Sequence, residues 1–134
     1  MSGSTHSEAP HQPVFVGSVK EELDALFPKY PTKQACLLPA LWMVQEARGW
    51  ISPQAIAEVG AVLGLTPAYV RGVATFYTMY HLHPVGRHFI QVCGTSPCHL
   101  CGSDDVLKAI LLETGCGELG ATSTDGRFTV AEVE

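Results

Sequence analysis

The segment VCGTSPCHLCG, residues 92–102, carries three of the chain's five cysteines, Cys93, Cys98 and Cys101. The residues before it, 88–92, have the pattern of a β-strand, and those from Ser103 onward have the pattern of a helix. Thiols grouped at a strand-to-helix turn are suited to soft-metal binding or to redox chemistry. The sequence therefore predicts a functional site at this turn, with the rest of the chain as its scaffold.

The region around this turn is predicted to be a βαβ unit. A strand at 88–92 is followed by a helix over Ser103–Glu113, and a turn at Thr124-Asp125-Gly126 leads into a second strand from about Arg127. Such a unit is expected to be parallel and right-handed. Because a two-stranded parallel sheet is not a stable end point, we expect a partner or a longer chain to extend it.

The first half of the chain is predicted to be a bundle of short amphipathic helices, which makes the fold class α+β. A capping box of Ser18 and Glu21 predicts the start of the first helix. Thr32 is predicted to cap a second helix that ends at Arg48 and is kinked or broken at Pro39.

Two further helices are expected to begin with a hydroxyl cap followed by proline, at Ser52-Pro53 and at Thr66-Pro67. The predicted organisation is a disordered tail over residues 1–16, a helical bundle over 17–84 and the βαβ region over 85–134. His6 and His11 lie in that tail and are not expected to bind metal.

Composition excludes several classes of function. With a net charge of −5 and no Lys/Arg cluster, the chain lacks the basic surface that is typical of nucleic-acid-binding proteins. No apolar run approaches the ~20 residues needed to span a membrane, and the polar N-terminus does not resemble a signal peptide. We therefore expect an intracellular protein, in which the cysteines are metal ligands, catalytic thiols or core residues rather than disulfides.

Three interpretations of the cysteines remain open on spacing alone. Cys93-x4-Cys98-x2-Cys101 followed by Cys116 superficially matches a plant-type [2Fe–2S] pattern, but the intervening helix would place Cys116 about 17 Å or more from Cys98. Cys116 is therefore not expected to be a ligand. Alternatively, Cys98 and Cys101 could form a thioredoxin-type redox pair. A structural zinc site could use Cys93, Cys98, Cys101 and a histidine such as His99, although the usual second half of a zinc motif is absent.

Residues elsewhere are given structural interpretations. Cys36 lies among apolar residues of a predicted helix and is expected to be a buried, inert thiol. The pair His81-x-His83 has no third ligand nearby in sequence and is expected to be a solvated linker. No nucleotide-binding glycine motif occurs in the chain.

Four segments, in order along the chain, resemble one known family. QEARGWI (45–51) is similar to its Q-x-x-x-G-W-[IL] segment, and VRGVATFYTMY (70–80) to its V-x-x-V-A-[ST]-F-Y-x-[MF] segment. Residues 88–102 fit its strand and C-x4-C-x-x-x-G loop, and residues 124–134 resemble T-x-D-G-x-F-T-x-x-x-V-E. The chain thus resembles the thioredoxin-like [2Fe–2S] subunit of the NADH-oxidising arm of respiratory complex I, a family shared with NAD-linked hydrogenases and formate dehydrogenases.

The resemblance implies a helical bundle followed by a partial thioredoxin-like ferredoxin domain. It implies that Cys93 and Cys98 ligate one iron of a [2Fe–2S] cluster, which would be two of the four ligands. In the family, a C-x3-C pair directly after V-E holds the other iron, so the sequence is expected to be truncated just before that pair. Cys101 and Cys116 fall where the family pattern is variable.

The function implied is electron transfer within an NADH:quinone oxidoreductase, which this subunit would not catalyse alone. FMN and NADH are expected on a partner subunit, with a neighbouring iron–sulfur subunit as a second partner and no direct membrane span. The expected location is cytoplasmic, peripheral on the inner face of the membrane. The alternatives are a thiol–disulfide oxidoreductase using Cys98 and Cys101, and an adaptor subunit without a cluster.

Overall fold

The computed structural model describes residues 10–134, in which there are six α-helices, two short 3-10 helices and two strands. The chain divides into two compact units between His83 and Pro84. The first unit is helical and the second contains the sheet, so the predicted α+β class is confirmed. The helices of the first unit are α1 (Gly17–Leu26), α2 (Leu37–Arg48), α3 (Pro53–Leu63) and α4 (Pro67–Phe76). The second unit contains β1 (His88–Cys93), α5 (Ser96–Leu100), α6 (Ser103–Thr114) and β2 (Phe128–Val133).

Helices α3 and α4 begin as the sequence predicts. The hydroxyl of Ser52 accepts a hydrogen bond from the amide of Ala55 at 3.1 Å, and that of Thr66 accepts one from the amide of Tyr69 at 3.3 Å. In each helix a proline occupies the first helical position, where its missing N–H leaves no bond unmade. These caps are local in sequence, which is why the pattern alone identifies them.

The predicted starts of the first two helices are wrong. Helix α1 begins at Gly17 with Val16 as its N-cap, so Ser18 lies inside the first turn and its side chain makes no capping bond. The second helix is broken before Pro39, into a 3-10 turn over Lys33–Cys36 and α2 from Leu37. Pro39 therefore lies in the first turn of α2, where a missing N–H costs nothing, and it causes no kink.

The two serines provide a matched stability test. Ser52→Ala is expected to lower the free energy of unfolding by about 1 kcal/mol, because the amide of Ala55 loses its acceptor. Ser18→Ala, which removes the same atoms from a serine that caps no helix, is expected to change it by less than about 0.5 kcal/mol. Urea unfolding followed by circular dichroism measures both, and equal losses would contradict this assignment of the caps.

Residues before α1 form hydrogen bonds with α3, contrary to the predicted disordered tail. Oε1 of Glu58 accepts hydrogen bonds from the amides of Val14 (2.8 Å) and Phe15 (2.9 Å), and Oε2 lies 2.8 Å from Nε2 of His11. Val14 and Phe15 are buried. The prediction is therefore wrong for Val14 and Phe15, because an acidic side chain 43 residues further along the chain from Phe15 accepts hydrogen bonds from their amides. Residues 1–9, including His6, lie outside the described residues.

The core of the helical unit is formed by the inward faces of α1 to α4. Its fully buried side chains include Leu23, Cys36, Leu41, Val44 and Val59. The prediction that Cys36 is a core thiol is confirmed. Within residues 10–134, no single helix is long and apolar enough to cross a bilayer; α3 and α4 meet that criterion only as a pair, bent by 116°.

The sheet of the second unit is parallel, as predicted. The pairing runs from His88 opposite Phe128 to Cys93 opposite Val133, so the carboxyl ends of β1 and β2 lie at one edge. Ser103 does not cap α6 as expected: Gly102 is the N-cap, with a φ of 97° in the left-handed region that favours glycine. Apolar residues of α6 and the sheet form a second core around Val92, Cys116 and Val130.

Candidate functional site

A short helix that the sequence pattern did not reveal brings Cys98 back toward Cys93. Cys93 is the last residue of β1, and α5 begins three residues later with Thr95 as its N-cap. The amide of His99 donates to the carbonyl of Thr95 at 2.8 Å, which closes the first turn of α5. The chain therefore reverses within the C-x4-C spacing, and both thiols remain partly exposed at the carboxyl edge of the sheet.

Cys93 is hydrogen-bonded to Thr95, with Sγ of Cys93 3.1 Å from Oγ1 of Thr95. The side chain of Cys98 lies near enough to affect the pKa of Cys93. The hydroxyl of Thr95, followed by its backbone amide and by Cys98, lowers the pKa of Cys93. The interaction with the side chain of Cys93, followed by the negative charge of that sulfur, raises the pKa of Cys98. The pair therefore carries its first negative charge on Cys93.

Thr95→Val tests this order of ionisation. The valine cannot donate to the sulfur, so the pKa of Cys93 is expected to rise and its thiolate to become less abundant at neutral pH. Because alkylation needs the thiolate, the iodoacetamide rate of Cys93 in the metal-free protein should fall severalfold at pH 7 and recover at higher pH.

Site-resolved mass spectrometry across a pH series provides this measurement. Thr114→Val is the matched control, since the hydroxyl of Thr114 donates to the carbonyl of Ile110 at the other end of α6. A rate profile of Cys93 that is the same in wild type and Thr95→Val would show that the hydroxyl does not control this thiol.

Cys101 lies at the end of α5, where its amide bonds to the carbonyls of Pro97 and Cys98. Its side chain is exposed. In a thioredoxin-type pair the first thiol needs a lowered pKa, whereas here the pKa of Cys98 is raised. This electrostatic order disfavours the oxidoreductase alternative for Cys98 and Cys101.

The remaining candidates are not brought to this turn as ligands. Cys116 is buried, and its thiol donates to the carbonyl of Phe128 at 3.4 Å. His99 has Nδ1 3.2 Å from Oδ2 of Asp104 on the surface. In the part of the chain that the structure describes, no group of three or more His, Cys, Asp or Glu side chains is placed to hold a metal ion. This finding contradicts the zinc alternative, which needed three of the thiols together with a histidine.

Two residues of this site were missed by sequence reasoning. Thr95 could have been found, because a hydroxyl two residues after Cys93 commonly bonds to local groups in a turn. Glu132 could not, because only the register of the sheet brings it near. Its side chain lies against Gly94, and its charge raises the pKa of Cys93, in opposition to the stronger effect of Thr95.

Known proteins match most of this chain. The family model described as thioredoxin-like [2Fe–2S] ferredoxin matches residues 23–134. The chain is 37% identical over 118 residues to an NADH-quinone oxidoreductase subunit of Rhizobium meliloti, a match that covers 87% of this chain and 69% of the relative.

Two further relatives carry related names. NADH-quinone oxidoreductase subunit 2 of Thermus thermophilus is 37% identical over 90% of this chain and 67% of its own length. An NADH-quinone oxidoreductase subunit of Pseudomonas aeruginosa is 43% identical over 78% of this chain and 62% of its own length. The family match covers the helical unit from residue 23 onward, the whole second unit and the cysteine turn within it. The chain belongs to the thioredoxin-like [2Fe–2S] ferredoxin family.

Proposed function

We propose that this chain is an iron–sulfur electron-transfer subunit of an assembly of the NADH:quinone oxidoreductase type. The observation that carries the proposal is the placement of two partly exposed thiols, Cys93 at the carboxyl end of β1 and Cys98 on the short helix α5 that follows it. Family membership and the names of the relatives support it.

The two thiols fit one half of a [2Fe–2S] site. Such clusters are held by four ligands, generally thiolates, and thiolate sulfur is the donor that iron–sulfur centres select. Cys93 and Cys98 are partly exposed, and Cys93 has a lowered pKa that favours the charged form. We propose that these two side chains hold one iron and that two further ligands hold the other.

The residues of this chain contribute position and electrostatics. When bound, a [2Fe–2S] cluster takes up and releases one electron at a time. The pairing of β1 with β2 fixes Cys93, and α5 fixes the direction of Cys98. The hydroxyl of Thr95 lies 3.1 Å from the sulfur of Cys93 and would donate to it when that sulfur is a thiolate, a kind of bond that tunes the reduction potential of an iron–sulfur centre.

The proposal extends to the partners of the chain. We propose that NADH and FMN bind on a partner subunit, from which the cluster receives electrons, and that a neighbouring iron–sulfur subunit shares the assembly. The assembly is proposed to lie on the cytoplasmic face of the membrane as a peripheral part of the complex. The relatives' names, which include both NADH and quinone, support this placement.

Iron–sulfur reconstitution tests the proposed function. The protein expressed from its complete gene is incubated anaerobically with iron and sulfide, and we expect visible absorption and a reduced-state EPR signal of a [2Fe–2S] cluster. Co-expression with the flavin-binding subunit of the same genome should give a complex in which NADH reduces that cluster. A complex that forms without iron would instead favour the adaptor. Disulfide reduction that is lost in Cys98→Ser would favour the oxidoreductase.

A further inference from the structure

Glu132 lies at the carboxyl end of β2, next to the end of β1 that carries Cys93. In the register of the sheet, Glu132 is opposite Val92, one residue before Cys93. The amide of Gly94 donates to the carbonyl of Val133 at 2.8 Å, so the two chains stay paired one residue beyond β1. The backbone of β2 therefore holds the Glu132 side chain at the start of the turn between the two cysteines.

The absence of a side chain at Gly94 gives Glu132 its place. A Cβ at position 94 would lie 2.6 Å from Cδ and 2.7 Å from Cγ of Glu132, closer than real Cβ contacts. Gly94 has no positive φ, so its backbone conformation does not require glycine. What glycine provides at this position is room for the carboxylate side chain beside Cys93.

We propose that Glu132, lying in the space left by Gly94, lowers the reduction potential of the centre held by Cys93 and Cys98. This inference rests on the proposed function. Reduction adds an electron to the centre, and a fixed negative charge nearby disfavours any added negative charge. Glu132 is exposed, so solvent weakens its effect, and it acts as a positioning and tuning residue rather than as a ligand.

A redox titration followed by EPR tests this role. Wild type and Glu132→Gln, each reconstituted with iron and sulfide, are poised at the midpoint potential of the wild-type centre. The ratio of reduced to oxidised centre is expected to be severalfold higher in Glu132→Gln. Glu113→Gln is the matched control, because Glu113 lies at the far end of α6, about 15 Å along the helix from Ser103. The ratio of reduced to oxidised centre in Glu113→Gln is expected to equal that of wild type.

Gly94→Ala provides a second, independent test of the proposal. The new methyl group displaces the Glu132 side chain without removing its charge, so the ratio should move in the same direction by a smaller factor. In the double variant with Glu132→Gln, the alanine should add nothing further, because no charge remains to displace.

The outcomes separate the two claims. A centre that forms in both proteins with the same potential in wild type and Glu132→Gln would overturn the inference alone. An equal shift in Glu113→Gln would also overturn it, since only net charge would then matter. A protein that takes up no [2Fe–2S] centre would contradict the proposed function and the inference together.

Discussion

Cys93→Ala is expected to leave the protein without a [2Fe–2S] cluster, as judged by loss of both visible absorption and the reduced-state EPR signal. The substitution removes one of the two thiols that the structure brings together, and the remaining Cys98 has no second sulfur beside it at the end of β1. Iron in these centres requires a nearly complete set of thiolate ligands, so the loss should be all or none rather than graded. Iron and sulfide content per protein, determined after anaerobic desalting, gives the quantitative measurement.

Cys101→Ala is the matched control for this loss. Cys101 lies three residues after Cys98, is exposed, and is not proposed to bind iron. Its variant should retain wild-type iron content and EPR spectrum, whereas Cys98→Ala should behave like Cys93→Ala. Retention of the cluster in Cys93→Ala together with its loss in Cys101→Ala would show that the ligand pair is Cys98 and Cys101. Circular dichroism excludes unfolding as the cause in each variant.

Leu41→Ala is expected to lower the free energy of unfolding by about 3–5 kcal/mol. Leu41 is fully buried at the centre of α2, and its deletion to alanine loses both the burial of the side chain and the packing around the cavity left behind. Against a typical domain stability of about 5–15 kcal/mol, this is a large fraction of the total. Urea titration followed by circular dichroism at 222 nm reports mainly on the helices and gives the difference.

Leu112→Ala makes the same chemical change on the surface. Leu112 is 85% exposed on α6, so its variant should differ from wild type by less than about 0.5 kcal/mol. If Leu41→Ala and Leu112→Ala lowered the free energy of unfolding by similar amounts, the burial of Leu41 would not be the source of the effect. If Leu41→Ala cost less than about 1 kcal/mol, the helical unit would have to close the cavity by rearrangement.

The features that sequence predicted correctly in this fold depend on neighbours in the chain. Ser52 and Thr66 cap their helices because the atoms involved are three residues apart. Ser18 and Glu21 have the same spacing, yet the capping box does not form because the helix already begins at Gly17. The backbone before that helix is held in place by Glu58, which is distant in sequence and accepts hydrogen bonds from the amides of residues 14 and 15. Local rules therefore fail where a distant side chain fixes the backbone.

The candidate site also combines features that the sequence predicts with features that depend on contacts distant in the chain. The spacing of Cys93 and Cys98, together with the family resemblance, predicted the pair, and the structure places Cys93 at the end of β1 and Cys98 on α5. The sequence could not show which thiol carries the charge, because this depends on the direction in which α5 turns and on the hydroxyl of Thr95. Nor could it show Glu132, which reaches Gly94 only through the register of β1 and β2.

Cys93 and Cys98 lie on a loop so short that they are expected to behave as a bidentate chelate. Once one sulfur binds a metal ion, the other is only five residues away along the chain, and closing so small a loop costs little additional entropy. The second thiol therefore acts at a high effective concentration, without a separate encounter. We expect ferrous iron to load first on this pair during assembly, before sulfide and the second iron complete the cluster.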